Sequence, residues 1–293
     1  MRSYKELPDD AGSNIIGQVT AQANRISKRL SSVKHTVAVM SGKGGVGKSA
    51  ITANLATALS LMGYTVGIVD ADINGPSIAK MMGVRNITLE YTKSGVLPAI
   101  SLLGTKIISM DLLLSEDDAP VMWNAQTQKD AFTWRSTMEV SALREFIGDT
   151  EWGELDFLLL DLPPGSDRLP NVVELIPNLG GVVVITIPSE VSHLIVKKSI
   201  TMARDILKVP IIGVVENMAF YVCKHCGEPE PLFSVQDISD YELNENTLGK
   251  IPFDPKFSLC NDSGTPYLSE YPDTPATKAI TEIAQKIEKF FDT

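Results

Sequence analysis

The chain has 293 residues, 44% of them hydrophobic, which is enough to bury a large core. Its 36 acidic against 26 basic residues give a net charge of -10, which argues against non-specific binding to nucleic acid. No apolar run reaches the ~18 residues of a membrane span, polar Met1–Asp10 lacks a signal-peptide core, and three cysteines, two of them in a C-x-x-C pair, make no disulfide framework. The expectation is a cytoplasmic protein with a metal or redox site.

In chain order, Ser13 to Val33 carries Ile15, Val19, Ile26, Leu30 and Val33 near one helical face. This predicts a helical arm, 1–34, that packs on the body or on a second copy, ahead of one domain spanning 35–293. Thr36–Met40 reads as a buried strand. Ser41-Gly42-Lys43-Gly44-Gly45-Val46-Gly47-Lys48-Ser49 then matches the G-x-x-x-x-G-K-[ST] phosphate loop, with an extra lysine after its first glycine. Lys48–Met62 predicts a helix, with Ile51, Leu55, Ala58, Leu59 and Met62 at helical spacing. Strand, glycine loop and helix in that register put phosphates on a helix N-terminus. Lys48 is expected on the β- and γ-phosphates of ATP and the Ser49 hydroxyl on Mg²⁺.

Thr65–Asp70 reads as a buried strand ending in a carboxylate, and Arg85–Met110 as a hairpin excursion. Ser136–Gly148 predicts a helix. Leu155 to Leu160 is an apolar strand ending at Asp161 and followed by Leu162-Pro163-Pro164-Gly165. An acid there can hold Mg²⁺ through water, and the Gly165 N–H can sense a γ-phosphate. Gly181–Pro188 and Val209–Val215 are further apolar strands. Strands apolar on both faces that alternate with helices predict an α/β fold: a doubly wound, mostly parallel sheet flanked by helices. Ligands of such sheets bind beyond the strand C-termini.

Cys223-Lys224-His225-Cys226 supplies two thiolates, half of a four-sulfur site. A two-fold symmetric dimer supplies the other half. A shared [4Fe–4S] cluster, a shared zinc and a redox dithiol all fit that donor set. His225 is expected to face solvent, and Cys260 to be a lone thiol or a third ligand. His35 and His193 show no partner pattern. Thr277–Phe291 has Ile280, Ile283, Ala284, Ile287 and Phe291 on one side. It is only weakly basic, so it reads as a helix packed on the core rather than a membrane-binding tail.

The loop with Lys43 resembles the deviant Walker A loop of the MinD, ParA, nitrogenase iron protein and arsenite ATPase group. Further pieces are Asp70-Ala71-Asp72-Ile73-Asn74-Gly75-Pro76-Ser77, Asp161-Leu162-Pro163-Pro164-Gly165, Glu216-Asn217-Met218 and Cys223–Gly227. With them the chain resembles the Mrp/ApbC family of iron–sulfur cluster carrier ATPases, over roughly residues 30 to 290. The resemblance implies a homodimer that slowly hydrolyses ATP, holds a bridging [4Fe–4S] cluster on Cys223 and Cys226, and passes it to apo iron–sulfur proteins. It implies a nucleotide site of Gly42, Lys43, Gly44, Gly45, Val46, Gly47, Lys48, Ser49, Ala50, Gly165, Asn217, Pro252 and Asp254, with Ser49 and Asp161 at Mg²⁺. Lys43 would reach the partner's nucleotide, Asp72 would position or activate the attacking water beside Lys48, and Asn217 would contact the adenine with Pro252 and Asp254 nearby. On residue type alone, Asp72 also reads as a turn cap and Asn217 as a turn residue.

The sequence departs from that family in two places. Ser166-Asp167-Arg168 stands where Thr-Gly-Asp is usual, and Trp134-Arg135-Ser136-Thr137-Met138 where Trp-Arg-Gly-Pro-Met is usual, after an extra stretch from Trp123 to Phe132. Both bear on the switches that couple nucleotide to cluster. The alternative reading is a MinD- or ParA-like dimerisation switch with a structural zinc at the C-x-x-C. A DNA-binding version is opposed by the acidic balance.

Overall fold

The computed structural model describes residues 15–113, 128–165, 168–223, 225–233 and 246–292. The strands are β1 (Val33–Ser41), β2 (Val66–Asp70), β3 (Ala99–Ile100), β4 (Lys106–Ile108), β5 (Leu155–Asp161), β6 (Gly181–Thr186), β7 (Ile211–Glu216), β8 (Phe220–Val222), β9 (Pro229–Pro231) and β10 (Thr247–Lys250). The helices are α1 (Ile15–Leu30), α2 (Lys48–Leu61), α3 (Ile78–Met81), α4 (Gln128–Asp149), α5 (Leu169–Leu175), α6 (Glu190–Thr201), α7 (Lys256–Ser263), α8 (Tyr267–Glu270) and α9 (Pro275–Phe291).

Eight strands form one sheet in the order β10-β7-β6-β1-β5-β2-β4-β3, and β8 and β9 make a separate hairpin. Every ladder in the large sheet is parallel except β3 with β4. The expected doubly wound α/β architecture is therefore present. β1 lies between β5 and β6, so chain direction switches sides around it, and a crevice opens beyond its C-terminal end. The central strands carry Val37, Ala38, Val39 and Met40, and Leu158 and Leu160, all fully buried. Such strands are covered on both faces, as parallel sheets require.

Several boundaries differ from expectation. β1 starts at Val33, because Val33 pairs with Leu155 at the start of β5. α4 starts at Gln128, well before Ser136, over a polar stretch with no apolar period. Part of the Trp123–Phe132 stretch, together with Lys224, Ser166 and Asp167, lies outside the described residues, as do the side chains of Trp134–Met138. The Arg85–Met110 excursion does contain the β3–β4 hairpin, and β4 also joins β2 in the main sheet. β10, with sequence Thr-Leu-Gly-Lys, was not expected.

The arm is fastened to α4. Arg25 pairs with Asp149 at 2.6 Å, Arg29 donates to the Gly148 carbonyl at 3.3 Å, and Ile26 is buried. At the other end of the chain, α9 buries Ile280, Ile283, Ala284 and Ile287 and packs on α2 and β10. Its apolar face is therefore occupied within the fold. Among the described residues no helix is long and apolar enough to cross a membrane.

At the lower end of the sheet, Asp156 accepts from Lys34 Nζ at 2.7 Å and from both the N–H and hydroxyl of Thr65 at 2.8 Å. Lys34 first, then the Thr65 N–H, holds its carboxyl at about 2. A depressed carboxylate adds stability above its unfolded pKa and loses it as pH falls through the folded value. Asp156→Asn is expected to cost about 1–2 kcal/mol at pH 7. That gap should close as pH falls from about 4 to about 2, measured by urea denaturation across pH.

Candidate functional site

The phosphate loop joins β1 to α2. Gly45 and Gly47 stand at φ 79° and 81°, in the left-handed region that L side chains avoid. Gly47 caps α2 and its carbonyl accepts the Ile51 N–H at 2.9 Å. A Cβ there would lie 2.4 Å from Asn217 Nδ2, and one at Gly42 would lie 2.6 Å from Ile195 Cγ2 in α6. The backbone therefore curls under two close neighbours, with α2 aiming its first N–H groups into the crevice. Lys43 is half-buried at the rim and has no ion-pair partner among the described residues; its carbonyl accepts from Ser41 Oγ at 3.0 Å. Val46 is buried, and Ala50 lies in the first turn of α2.

Beneath the loop is a fully buried carboxylate. Asp161, at the end of β5, pairs with Lys48 Nζ at 2.6 Å and accepts the Ser49 hydroxyl at 2.6 Å. The Thr52 hydroxyl reaches its other oxygen at 2.6 Å. Lys48 is 6% exposed and Asp161 0%. Thr52 was not foreseen; its signal is its spacing, one helical turn after Lys48 on the same face.

Asp70 stands beside Asp161 in register on β2. Its carboxylate accepts from the Ser77 and Ile78 N–H groups and from Ser109 Oγ, at 3.0–3.1 Å. Burial, then the charge of Asp161, still pushes it up to about 7. Two residues on, Asp72 Oδ1 accepts the Gly75 N–H at 3.3 Å, so it does cap its own turn. Burial raises its pKa and Lys48 pulls it back. Asp72 is thus a half-buried carboxylate in the field of Lys48.

Gly165, at φ 99°, donates its N–H to the Ser41 carbonyl at 2.9 Å, so that N–H is engaged by the loop's first residue. Asn217 Nδ2 donates to the Val46 carbonyl at 2.9 Å, linking the end of β7 to the loop. Its neighbour Glu216 lies 3.4 Å from His193 Nε2 and 3.0 Å from Lys250 Nζ. His193, then Lys250, holds the Glu216 carboxyl below its usual range. His193 therefore has a partner that its sequence position did not reveal. Pro252 and Asp254 line a groove of about 200 Å³ with Cys223. The Asp254 carboxylate accepts from Tyr267 at 2.7 Å and from the Lys256 N–H at 2.9 Å, holding the start of α7.

The cysteine pair sits on the β8–β9 hairpin. Cys223 is half-buried, and Cys226 and His225 are exposed. Gly227 closes the turn by donating to the Cys223 carbonyl at 2.9 Å. The N–H of Cys226, then that of His225, lowers the pKa of the Cys223 thiol. That favours a thiolate, the form that ligates metal. Cys260 is buried in α7.

The family described as the NUBPL iron-transfer P-loop NTPase, in the ParA group, matches residues 32–288. The chain belongs to this family. It is similar to an iron–sulfur cluster carrier protein of Saccharolobus solfataricus, 40% identical over 279 residues, covering 94% of this chain and 90% of that one. It is also 40% identical, over 252 residues, to a cytosolic Fe-S cluster assembly factor NUBP2 homolog of Dictyostelium discoideum, covering 84% and 91%. Among solved structures it resembles a nucleotide-binding protein of Archaeoglobus fulgidus in complex with ADP. That match has a TM-score of 0.71 at 34% identity and covers 87% of this chain and 95% of that one.

The lysine of the phosphate loop, Lys48, is buried. Here its counter-charge is Asp161. Asp161→Asn is expected to leave the buried Lys48 with the Ser49 hydroxyl but without its paired carboxylate, and to destabilise the protein by about 3 kcal/mol in urea without nucleotide. An unchanged midpoint would contradict the assigned pairing.

Proposed function

We propose that this NTPase is a cytoplasmic homodimeric ATPase that carries an iron–sulfur cluster to apoproteins. The observation that carries the proposal is a short connection. Asn217, which holds the phosphate loop, and Cys223, at the start of the C-x-x-C turn, stand on the same stretch after β7. Displacement of the loop is passed directly to the cysteine hairpin.

The loop N–H groups and Lys48 receive the β- and γ-phosphates, and phosphate oxygens compete with Asp161 for Lys48. Ser49 and Asp161 present hard oxygen donors 2.6 Å apart, a donor set that suits Mg²⁺. When bound, Mg²⁺ supplies charge neutralisation at the phosphates. Asp72 orients the attacking water, and Lys43 of a second copy stabilises charge developing on the transferred phosphoryl group. Asn217 meets the adenine side, Pro252 and Asp254 border the same connection, and Gly165 exchanges its Ser41 contact for phosphate. α1 serves as a packing arm on the domain that begins with β1. Turnover is slow, as suits a switch.

Each chain contributes two sulfurs, and two copies related by symmetry supply the four that a [4Fe–4S] cargo needs. The relatives' names support that cargo. The buried apolar face of α9 weighs against the membrane-switch alternative. Anaerobic reconstitution of wild type against Cys223→Ala/Cys226→Ala is the test. About four irons and four sulfides per dimer, absent from the double variant, are expected. Stoichiometric zinc with no iron uptake would replace the carrier with a zinc-stapled switch.

A further inference from the structure

Two loops flank the site proposed for the γ-phosphate. One follows β2 and carries Asp72; the other follows β5 and carries Gly165. Among the described residues no backbone ladder joins them beyond the Ala71 N–H to Asp161 carbonyl bond at 3.0 Å, where the strands end. One side chain from a third element does. Glu139 of α4 uses both carboxylate oxygens, one on each loop. Oε1 accepts from Asn74 Nδ2 at 2.6 Å, two residues past Asp72. Oε2 pairs with Arg168 Nη2 at 2.7 Å, three residues past Gly165.

The environment makes this contact matter. The Glu139 side chain is 9% exposed and that of Arg168 26%. Ala71, Leu162, Pro163 and Val172 line the apolar cleft around them. A shielded, charge-assisted pair of this kind is screened less than an exposed one, and removing one partner leaves the other charge uncompensated. Arg168 also carries the carbonyl that accepts the Asn171 N–H at 3.1 Å, so the pair reaches the first turn of α5. Arg168 stands in the stretch where this sequence departs from the usual Thr-Gly-Asp.

We infer that Glu139 is a positioning residue that locks the Asp72 loop to the Gly165 loop, so that the two respond to ATP as one unit. The inference rests on the ATPase reading above. Among the described residues Glu139 makes no hydrogen bond or ion pair with the phosphate loop or Asp161, so it acts on turnover through Asn74 and Arg168, and through its charge on Asp72, and leaves ATP affinity nearly unchanged.

The test compares wild type, Glu139→Gln, Arg168→Gln, the double variant and Arg168→Lys, using ATP and Mg²⁺ without cluster. Glu139→Gln is expected to lower kcat at least about tenfold while KM and the ATP Kd stay within about twofold. The double variant should be no slower than Glu139→Gln, because both changes break one pair. Arg168→Lys, which keeps the charge, should recover most of the rate, which a loss of folding would not allow. Hydrogen exchange gives a second readout. ATP should protect residues 71–77 and 163–172 together in wild type, and only one of the two segments in Glu139→Gln. A kcat within twofold of wild type, additive single effects, or joint protection that survives in Glu139→Gln would overturn the inference. A protein that hydrolyses ATP but takes up no cluster would overturn the carrier reading instead and leave these readouts intact.

Discussion

One buried charge pair organises the molecule. Asp161 is wholly removed from water, and a carboxylate so placed is tolerable only if paired and hydrogen-bonded. Lys48, Ser49 and Thr52 meet that demand, and all three come from the first turns of α2. The pair therefore fixes the loop after β1 against the end of β5. It also requires β1 and β5 to be neighbours, which the strand order supplies. Removing either partner strands the other charge in a low-dielectric interior, so the contact is both a structural tie and the natural place for an arriving phosphate to act.

The remaining features extend from that tie. Asp70 lies next to Asp161, and its raised pKa limits the negative charge gathered at the strand ends. Glu139 ties the two following loops together. On the other side of β1, Asn217 grips the loop at Val46, and the chain then runs through β8 to Cys223. The proposed nucleotide and cargo sites thus stand on one frame of parallel strands and are separated by one short connection. Rigid strands with mobile connections at their C-terminal ends are the usual means by which such folds convert phosphate contacts into motion.

Much of this was legible in the residues because it depends on local pattern. The glycine loop, the apolar strands ending in Asp70 and Asp161, and the buried face of α9 each follow from spacing within a short window. What the sequence concealed depends on distance along the chain. His193, Glu216 and Lys250 meet only because β6, β7 and β10 are adjacent. Glu139 finds Asn74 and Arg168 from a helix whose polar N-terminal half shows no period. β10 is short and polar, and is a strand because β7 offers it an edge. The Gly165 N–H donates to the Ser41 carbonyl, a pairing set by β1 lying beside β5 and not readable from either segment alone.

The central claim is that ATP at the phosphate loop governs delivery of the cluster. The most direct measurement is transfer of a reconstituted cluster to an apo-ferredoxin acceptor, followed spectroscopically under anaerobic conditions. Wild type and Lys48→Ala would be compared, each with and without ATP and Mg²⁺. The account predicts that nucleotide changes the wild-type transfer rate and leaves the Lys48→Ala rate unmoved. Equal transfer by both proteins, with no response to ATP in either, would contradict it.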